Sequence, residues 1–475
     1  MTMDTLKADI CVIGAGSAGL SVAAGAAQLG RKTVLIEKGE MGGDCLNTGC
    51  VPSKALLAAA AVAQTMRDAA PFGIAAASPQ IDAAAVHAHL RQVIARIAPN
   101  DSQARFEGLG VTVIRAPAQF IDGRTVEAGG RRIRARRFVI ATGSRAAMPP
   151  LPGLGAVSVF TNETIFNKDF IPPHLLVIGG GPIGCELAQA HRRLGGKVTL
   201  VEAVRLLPRD DAEAAGVVRQ ALAADGIRIF EGAQVTSLKP AQDGVEAHIV
   251  TRHGSEVLKA SHLLVATGRR PNIEGLGLEH ADIDYTPTGI TVDHRLKTTN
   301  KRVYAIGDVT GAPQFTHVAN YHAGLVIRNA LFRMPVKADY RAIPRVTYTD
   351  PELAQVGLTE TEARAADPRA TSVRAEFAEN DRAIAAREAR GFAKLVLGRG
   401  GRILGATIVG PHAGELIGLW ALAIGQKTKL SAVAAMTMAY PTLGEVSKRA
   451  AGARYTPALF SRRTRALVRL LSWFG

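Results

Sequence analysis

A strand, a glycine-rich turn, a helix and a second strand ending in a carboxylate occur twice in this chain of 475 residues. That doubled pattern constrains the fold more than any other feature. In the first copy Ala8 to Ile13 reads as an apolar strand, Gly14-Ala15-Gly16-Ser17-Ala18-Gly19 as the turn, Ala18 to Leu29 as a helix, and Thr33 to Ile36 as a strand ending at Glu37. In the second, Leu175 to Ile178 leads into Gly179-Gly180-Gly181-Pro182-Ile183-Gly184, a helix from Cys185 to Leu194, and a strand from Lys197 to Val201 ending at Glu202. The acid falls 18 positions after the third glycine in both copies (19 to 37, 184 to 202). The first glycine permits a tight turn, the second lets a pyrophosphate approach the backbone, and the third lets helix and strand pack closely, with the phosphates at the helix N-terminus. The carboxylate is placed to accept from a ribose. An apolar strand ending in Ala-Thr-Gly follows each copy, at Ala141-Thr142-Gly143 and Ala266-Thr267-Gly268. Two such units imply two dinucleotide sites.

Directly after the first unit comes Gly42-Gly43-Asp44-Cys45-Leu46-Asn47-Thr48-Gly49-Cys50-Val51-Pro52-Ser53-Lys54. This puts two thiols beside a cofactor site. Residues i and i+5 of a regular helix lie roughly 8–9 Å apart between Cα atoms, whereas a disulfide needs about 4.4–6.8 Å. If Cys45 and Cys50 bond, their segment must bend or lie before the helix proper. Asn47 and Gly49 tolerate a bend, and Pro52 suits a first helical turn. A long Ala-rich helix runs from Val51 towards Met66.

Four cysteines in all argue for a reducing, cytoplasmic setting rather than a disulfide framework. Cys11, in the first strand, and Cys185, opening the second helix, read as buried apolar fillers. With 47% apolar and 21% charged residues the composition is that of an ordinary globular chain. The net charge of +16 comes from scattered basic residues with no aromatic–basic platform, so no nucleic-acid partner is expected. No signal peptide fits the N-terminus, no spanning apolar run is expected (Ile417 to Gly425 is apolar but short), and no bound metal is expected.

These motifs, together with Ala266 to Asn272, Tyr304 to Val309 and Asp350-Pro351-Glu352, resemble the group I pyridine nucleotide-disulfide oxidoreductases over nearly the whole chain. The resemblance implies an α/β fold of two Rossmann-like dinucleotide-binding domains, the second inserted in the first, plus a C-terminal α+β dimerisation domain. It implies FAD in the first site, a nicotinamide dinucleotide in the second, and a homodimer. FAD would contact Gly14, Gly16, Gly19, Glu37, Gly43, Lys54, Thr142, Gly143, Gly307 and Asp308, the last on the ribityl chain. The nicotinamide dinucleotide would contact Gly179, Gly181, Gly184, Glu202 and Gly268. Cys50 would be the flavin-proximal charge-transfer thiol and Cys45 the interchange thiol, joined as a redox disulfide. Lys54 and Glu186 match the ion pair near the flavin N5. Placed on the sequence, the domains fall at 1–150 (FAD, first part), 151–273 (NAD(P)H), 274–338 (FAD, return), 339–457 (interface) and 458–475 (a basic amphipathic tail). Arg345 to Tyr348 and Lys394 to Leu397 alternate like strands of an antiparallel sheet.

One departure decides how far function can be pushed. Disulfide-reducing members carry a His-Pro-Thr-…-Glu run whose histidine serves the partner's dithiol as acid–base. Here Pro441, Thr442 and Glu445 align, but the histidine position holds Tyr440. With reference pKa values near 10 for tyrosine and about 6.5 for histidine, the phenol cannot collect thiol protons as imidazole does. A tyrosine there is similar to mercuric reductases, although no cysteine follows Cys185 and no Cys-x-x-Cys module precedes the first strand. His317, His322 and His412 read as structural. The expected activity is electron transfer from NAD(P)H through FAD to the Cys45–Cys50 pair and on to an acceptor such as a thiophilic metal ion. The runners-up are a dihydrolipoyl dehydrogenase with Tyr440 in place of the histidine, and a non-enzymatic flavoprotein scaffold. Glu202 would repel a 2′-phosphate, which favours NADH over NADPH despite Arg205 nearby. In the tail, Phe460, Leu467, Leu471 and Phe474 share one helical face and Arg462, Arg465 and Arg469 another. That pattern suits docking on the protein's own dimer or peripheral contact with a membrane.

Overall fold

The computed structural model describes residues 5–474. They form two compact units: residues 5–179, 190–201 and 234–338 make up one, and 180–189, 202–233 and 339–474 the other.

The first unit is built on β1 (Thr5–Ile13), α1 (Ser17–Gln28) and β2 (Thr33–Glu37). Thr33 to Ile36 are all buried, as expected of a parallel strand covered on both faces. β1 pairs in parallel with β2 and with the strand Arg131–Ile140; β2 pairs in parallel with Val111–Arg115. The strand Val303–Ala305 pairs in parallel with Arg131–Ile140, so the chain returns to this sheet after a long excursion. An antiparallel meander, Thr125–Ala128 and Ala118–Asp122, completes one edge. Two apolar layers sandwich the sheet, one around Phe120, Phe138 and Ile140 and the other around Val12, Leu35 and Tyr304. The excursion holds a second parallel sheet, in which His174–Ile178 lies between Lys197–Glu202 and His262–Val265. It also holds a three-stranded antiparallel sheet, Gln234–Ala241, Gly244–Thr251 and Gly254–Ala260.

The second unit centres on a five-stranded antiparallel sheet in the order Pro344–Thr347, Glu352–Gly357, Ile403–Gly410, Phe392–Leu397, Thr371–Glu376. One face buries Trp420, Phe377, Leu395 and Ile408, with the Trp420 indole donating to Ser447 Oγ at 3.1 Å. The other face carries a polar rung in register across all five strands: Arg345, Gln355, Thr407, Lys394 and Arg374. The rung meets the start of the helix Ala212–Ala224. Arg345 Nε lies 2.7 Å from Asp210 Oδ1, and Lys394 Nζ lies 2.8 Å from Asp211 Oδ2 and 2.9 Å from Glu213 Oε2. Lys394 is thus buried beside carboxylates that offset its charge, as a buried ammonium must be.

Two expectations change. The run Gly43–Arg67 is long and apolar enough to cross a membrane by length and composition, contrary to the sequence reading. It is broken at Thr48 and Gly49, and its second part packs on the helix Ala83–Ile97. The tail is also not one helix. Thr456–Leu459 and Arg462–Leu471 are separate, because Ser461 starts the second by accepting from the Thr464 amide. Phe460 and Phe474 thus lie outside the helix whose face they were expected to share.

Candidate functional site

The first glycine loop shows which glycines the chain needs for itself. Gly14 has φ +105°, and a Cβ there would lie 2.4 Å from the Ala141 carbonyl oxygen. A Cβ on Gly19 would lie 1.8 Å from the Gly14 oxygen. Gly16 differs: a Cβ would meet nothing within 4 Å. Its missing side chain leaves open space at the N-terminus of α1, where a pyrophosphate would rest on the helix amides. The loop therefore fits FAD. Gly43 reinforces the fit, since a Cβ there would lie 2.8 Å from Gly16 Cα; the cysteine segment lies against this loop.

Glu37 does more than the sequence suggested. Its Oε2 accepts from the Ala15 amide at 2.5 Å and its Oε1 from the Gly39 amide at 2.7 Å, bracing the turn it was expected to serve only through a ribose. A carboxylate accepts at about four positions, so capacity for a ribose remains. The second copy repeats this contact for contact. Glu202 Oε2 accepts from the Gly180 amide at 2.7 Å and Oε1 from the Val204 amide at 3.0 Å. A Cβ on Gly179 (φ +110°) would lie 2.4 Å from the Ala266 oxygen, while one on Gly181 would meet nothing within 4 Å. Gly184 lies in the helix Pro182–Arg193. The second loop fits a nicotinamide dinucleotide on the same grounds. The two Ala-Thr-Gly turns are tied through Asn272, whose amide donates to the Gly143 oxygen at 3.0 Å and whose Nδ2 donates to the Thr142 oxygen at 2.9 Å. Gly268 (φ +128°) ends the second turn in open space.

The cysteines straddle the expected bend. Cys45 lies in α2 (Gly43–Asn47) and Cys50 opens α3 (Cys50–Arg67), with Thr48 and Gly49 between them in non-helical conformations. Only glycine fits at 49, where a Cβ would lie 2.9 Å from the Asp44 oxygen. Both cysteines are free thiols in mutual hydrogen-bond contact. That contact is the main reason Cys50 is lowered to about 6, helped by the Thr316 hydroxyl and the Lys54 charge, against burial and Asp44. The same contact, with burial, pushes Cys45 up. The pair is thus polarised into one thiolate and one thiol. Thr316 Oγ1 lies 3.5 Å from Cys50 Sγ and begins the helix Thr316–Ala330. Cys11 and Cys185 are fully buried and held up as inert thiols, as expected.

A charged network absent from the sequence reading surrounds the pair. Asp44 Oδ1 accepts from Thr48 Oγ1 at 2.8 Å and from Asn162 Nδ2 at 3.2 Å; Asp44 Oδ2 lies 3.0 Å from Arg269 Nη2. Arg269 Nε donates to Ser144 Oγ at 2.7 Å and lies 3.7 Å from Asp308 Oδ2, which accepts from Ser144 Oγ at 2.6 Å. Arg269 joins the cysteine motif to the Gly307-Asp308 motif. Burial raises Asp308, partly offset by Ser144 and Arg269. Asp44 and Arg269 lie inside motifs quoted from the sequence, where neither had a role, and Ser144 follows the first Ala-Thr-Gly; Asn162 and Thr316 had no signal in the sequence.

Glu186, Arg205, Tyr440 and Glu445 fall in the second unit. Glu186 is 4% exposed and accepts from the Tyr348 amide at 2.9 Å. Tyr440 is exposed and donates through its hydroxyl to Asp381 Oδ2 at 2.9 Å, which holds its pKa above the ordinary value. Glu445 accepts from the Thr442 amide at 3.5 Å. Arg205 donates to the carbonyls of Leu206, Leu207, Pro208 and Asp210. Of the histidines, His322 is buried and accepts from the Gly307 amide at 3.1 Å, and burial lowers it to about 4. His317 stacks on Phe315, and His412 starts the helix Ala413–Leu416. Among the described residues no group of three or more His, Cys, Asp or Glu could hold a metal ion.

Two glycine loops with matched acids, and a polarised thiol pair against the first, define a flavin- and nicotinamide-dependent dithiol oxidoreductase. Residues 8–323 match the family described as pyridine nucleotide-disulphide oxidoreductase, and residues 343–451 match its dimerisation domain. The chain belongs to that family: it is an FAD- and NAD(P)H-dependent enzyme, and its dimerisation domain supports a homodimer. It is 36% identical to a mercuric reductase of Streptomyces lividans (93% of this chain, 95% of that one) and 37% identical to a dihydrolipoyl dehydrogenase of Thermus scotoductus (95% and 98%). Its structure is similar to the Cu(II) complex of the HOCl-induced flavoprotein disulfide reductase RclA from Escherichia coli, with TM-score 0.82 and 27% identity, covering 93% of this chain and 98% of that one.

Proposed function

We propose that this enzyme is an NADH-dependent reductase of the mercuric-reductase kind, whose Cys45 and Cys50 hand electrons to a thiophilic metal ion. Bound FAD supplies the relay between a two-electron hydride donor and the thiol pair. Cys50, held as thiolate beside Thr316 and Lys54, is the thiol on the flavin side; Cys45, protonated, faces the acceptor. Lys54 would lie beside the flavin, and Asp308 would hold its ribityl chain. Glu202 selects NADH, because both carboxylate oxygens already brace the loop and a 2′-phosphate would add like charge. The four terminal N–H groups of Arg205 that could counter that charge are spent on four carbonyls.

The observation that carries the acceptor class is Tyr440. Reducing a disulfide requires protons on the leaving thiolates, whereas reducing a metal ion does not. Tyr440 is bound to a carboxylate that makes its proton harder to release, and Glu445 turns to its own backbone. The enzyme family sets aside the non-enzymatic scaffold reading. The dihydrolipoyl dehydrogenase reading keeps the support of relatives of that name, but it needs an acid–base group that Tyr440 does not supply.

NADH oxidation by the purified holoenzyme, measured with Hg²⁺ under excess thiol, with lipoamide and with glutathione disulfide, tests the reading. The metal ion is expected to turn over. The disulfides are expected to be slower by roughly 10²–10⁴, the worth of a general acid–base, and Tyr440→His is expected to raise lipoamide turnover. Fast lipoamide reduction by the unaltered enzyme, undiminished in Tyr440→Phe, would overturn the proposal.

A further inference from the structure

The described chain ends in a helix that no part of the protein covers. Within Arg462–Leu471 no residue is buried. Leu467, Val468, Leu470 and Leu471 are 53%, 59%, 53% and 57% exposed, and Trp473 and Phe474 just beyond are 83% and 81% exposed. At 3.6 residues per turn, Arg462, Arg465 and Arg469 fall within about 60° of one another, while Leu467, Leu470 and Leu471 share an arc of about 100° on the other side, which Arg463 enters only in the first turn. No aspartate or glutamate follows Glu445, whereas Lys448, Arg449, Arg454, Arg462, Arg463, Arg465 and Arg469 do. The dimerisation-domain match stops at residue 451, so this helix lies beyond the segment the family uses to pair its subunits.

We propose that Arg462–Leu471 lies in the plane of an anionic phospholipid surface. Its leucines and Trp473 enter the headgroup–acyl boundary while its arginines hold the phosphates. A membrane surface offers both an apolar layer and negative charge within one helix diameter, which is what the two faces require together. A second copy of this chain would set arginines against arginines in a protein of net charge +16. A nucleic acid would satisfy the arginines but leave the leucines and Trp473 in water. The proposal is independent of the electron acceptor.

Sedimentation of the full-length holoenzyme with vesicles tests it, using phosphatidylcholine alone and an equimolar phosphatidylcholine–phosphatidylglycerol mixture. The protein is expected to pellet with the anionic vesicles, to stay in solution with the neutral ones, and to be released by salt. Each arginine near such a surface adds roughly fivefold to partitioning, so Arg462→Glu/Arg465→Glu/Arg469→Glu should weaken it by at least about 10²-fold. Leu467→Ser/Leu471→Ser should weaken it too, and Trp473 emission should shift to the blue on binding. Bound-flavin absorbance checks that the variants are folded. Failure to pellet with anionic vesicles, or undiminished pelleting by the charge-reversed variant, would overturn the assignment. So would a change of oligomeric state in that variant by sedimentation velocity, which would make the helix a subunit contact.

Discussion

Thr316→Val isolates the part of the Cys50 environment that only the folded chain supplies. Thr316 Oγ1 stands 3.5 Å from Cys50 Sγ and helps hold the thiolate at a pKa of about 6. A hydrogen bond to a charged group is worth about 1.5–3 kcal/mol. At about 1.4 kcal/mol per pKa unit this corresponds to roughly 1–2 units. The contact is long, so the lower end applies, and the variant should titrate roughly one unit above the unaltered protein. The assay is the pH dependence of iodoacetamide alkylation of Cys50 in the reduced protein, read by mass spectrometry. Only the thiolate reacts, so a raised pKa slows the variant several-fold between the two inflections. Above pH 9 both proteins are ionised and the rates should converge. Superimposable profiles, or an unaltered protein that titrates at the ordinary thiol value, would refute the reasoning.

Two further substitutions test the reading of the fold. Gly16→Ala should leave stability within about 0.5 kcal/mol but weaken FAD binding, because its Cβ meets no protein atom, while Gly14→Ala should damage both. Thermal unfolding of the apoprotein and flavin titration separate the two effects. Lys394→Met leaves Asp211 buried without its partner and should cost about 3 kcal/mol, the low end for a broken buried pair because Glu213 is half exposed. A denaturation midpoint unchanged from the parent would show that the polar rung is not holding the helix Ala212–Ala224.

The sequence by itself determined whatever a few neighbouring residues can enforce. The positive φ at Gly14 and Gly179, the bend between Cys45 and Cys50 and the loss of an imidazole at Tyr440 are all local consequences of residue type. So are the two matched strand–turn–helix units, since a glycine turn and an acid at fixed spacing need no distant partner. Tertiary structure decided what depends on residues far apart in the chain. Asp44 meets Arg269, and Arg269 meets Asp308, only because the cysteine segment lies on the first glycine loop and Val303–Ala305 returns to the sheet of β1. Thr316 reaches Cys50 across 266 positions, and Lys394 finds Asp211 only once strand register has fixed the rung. Ionic and hydrogen-bond pairing of that kind is short-ranged in space and indifferent to separation along the chain. The register of the sheets selects the partners, and no spacing in the sequence encodes it.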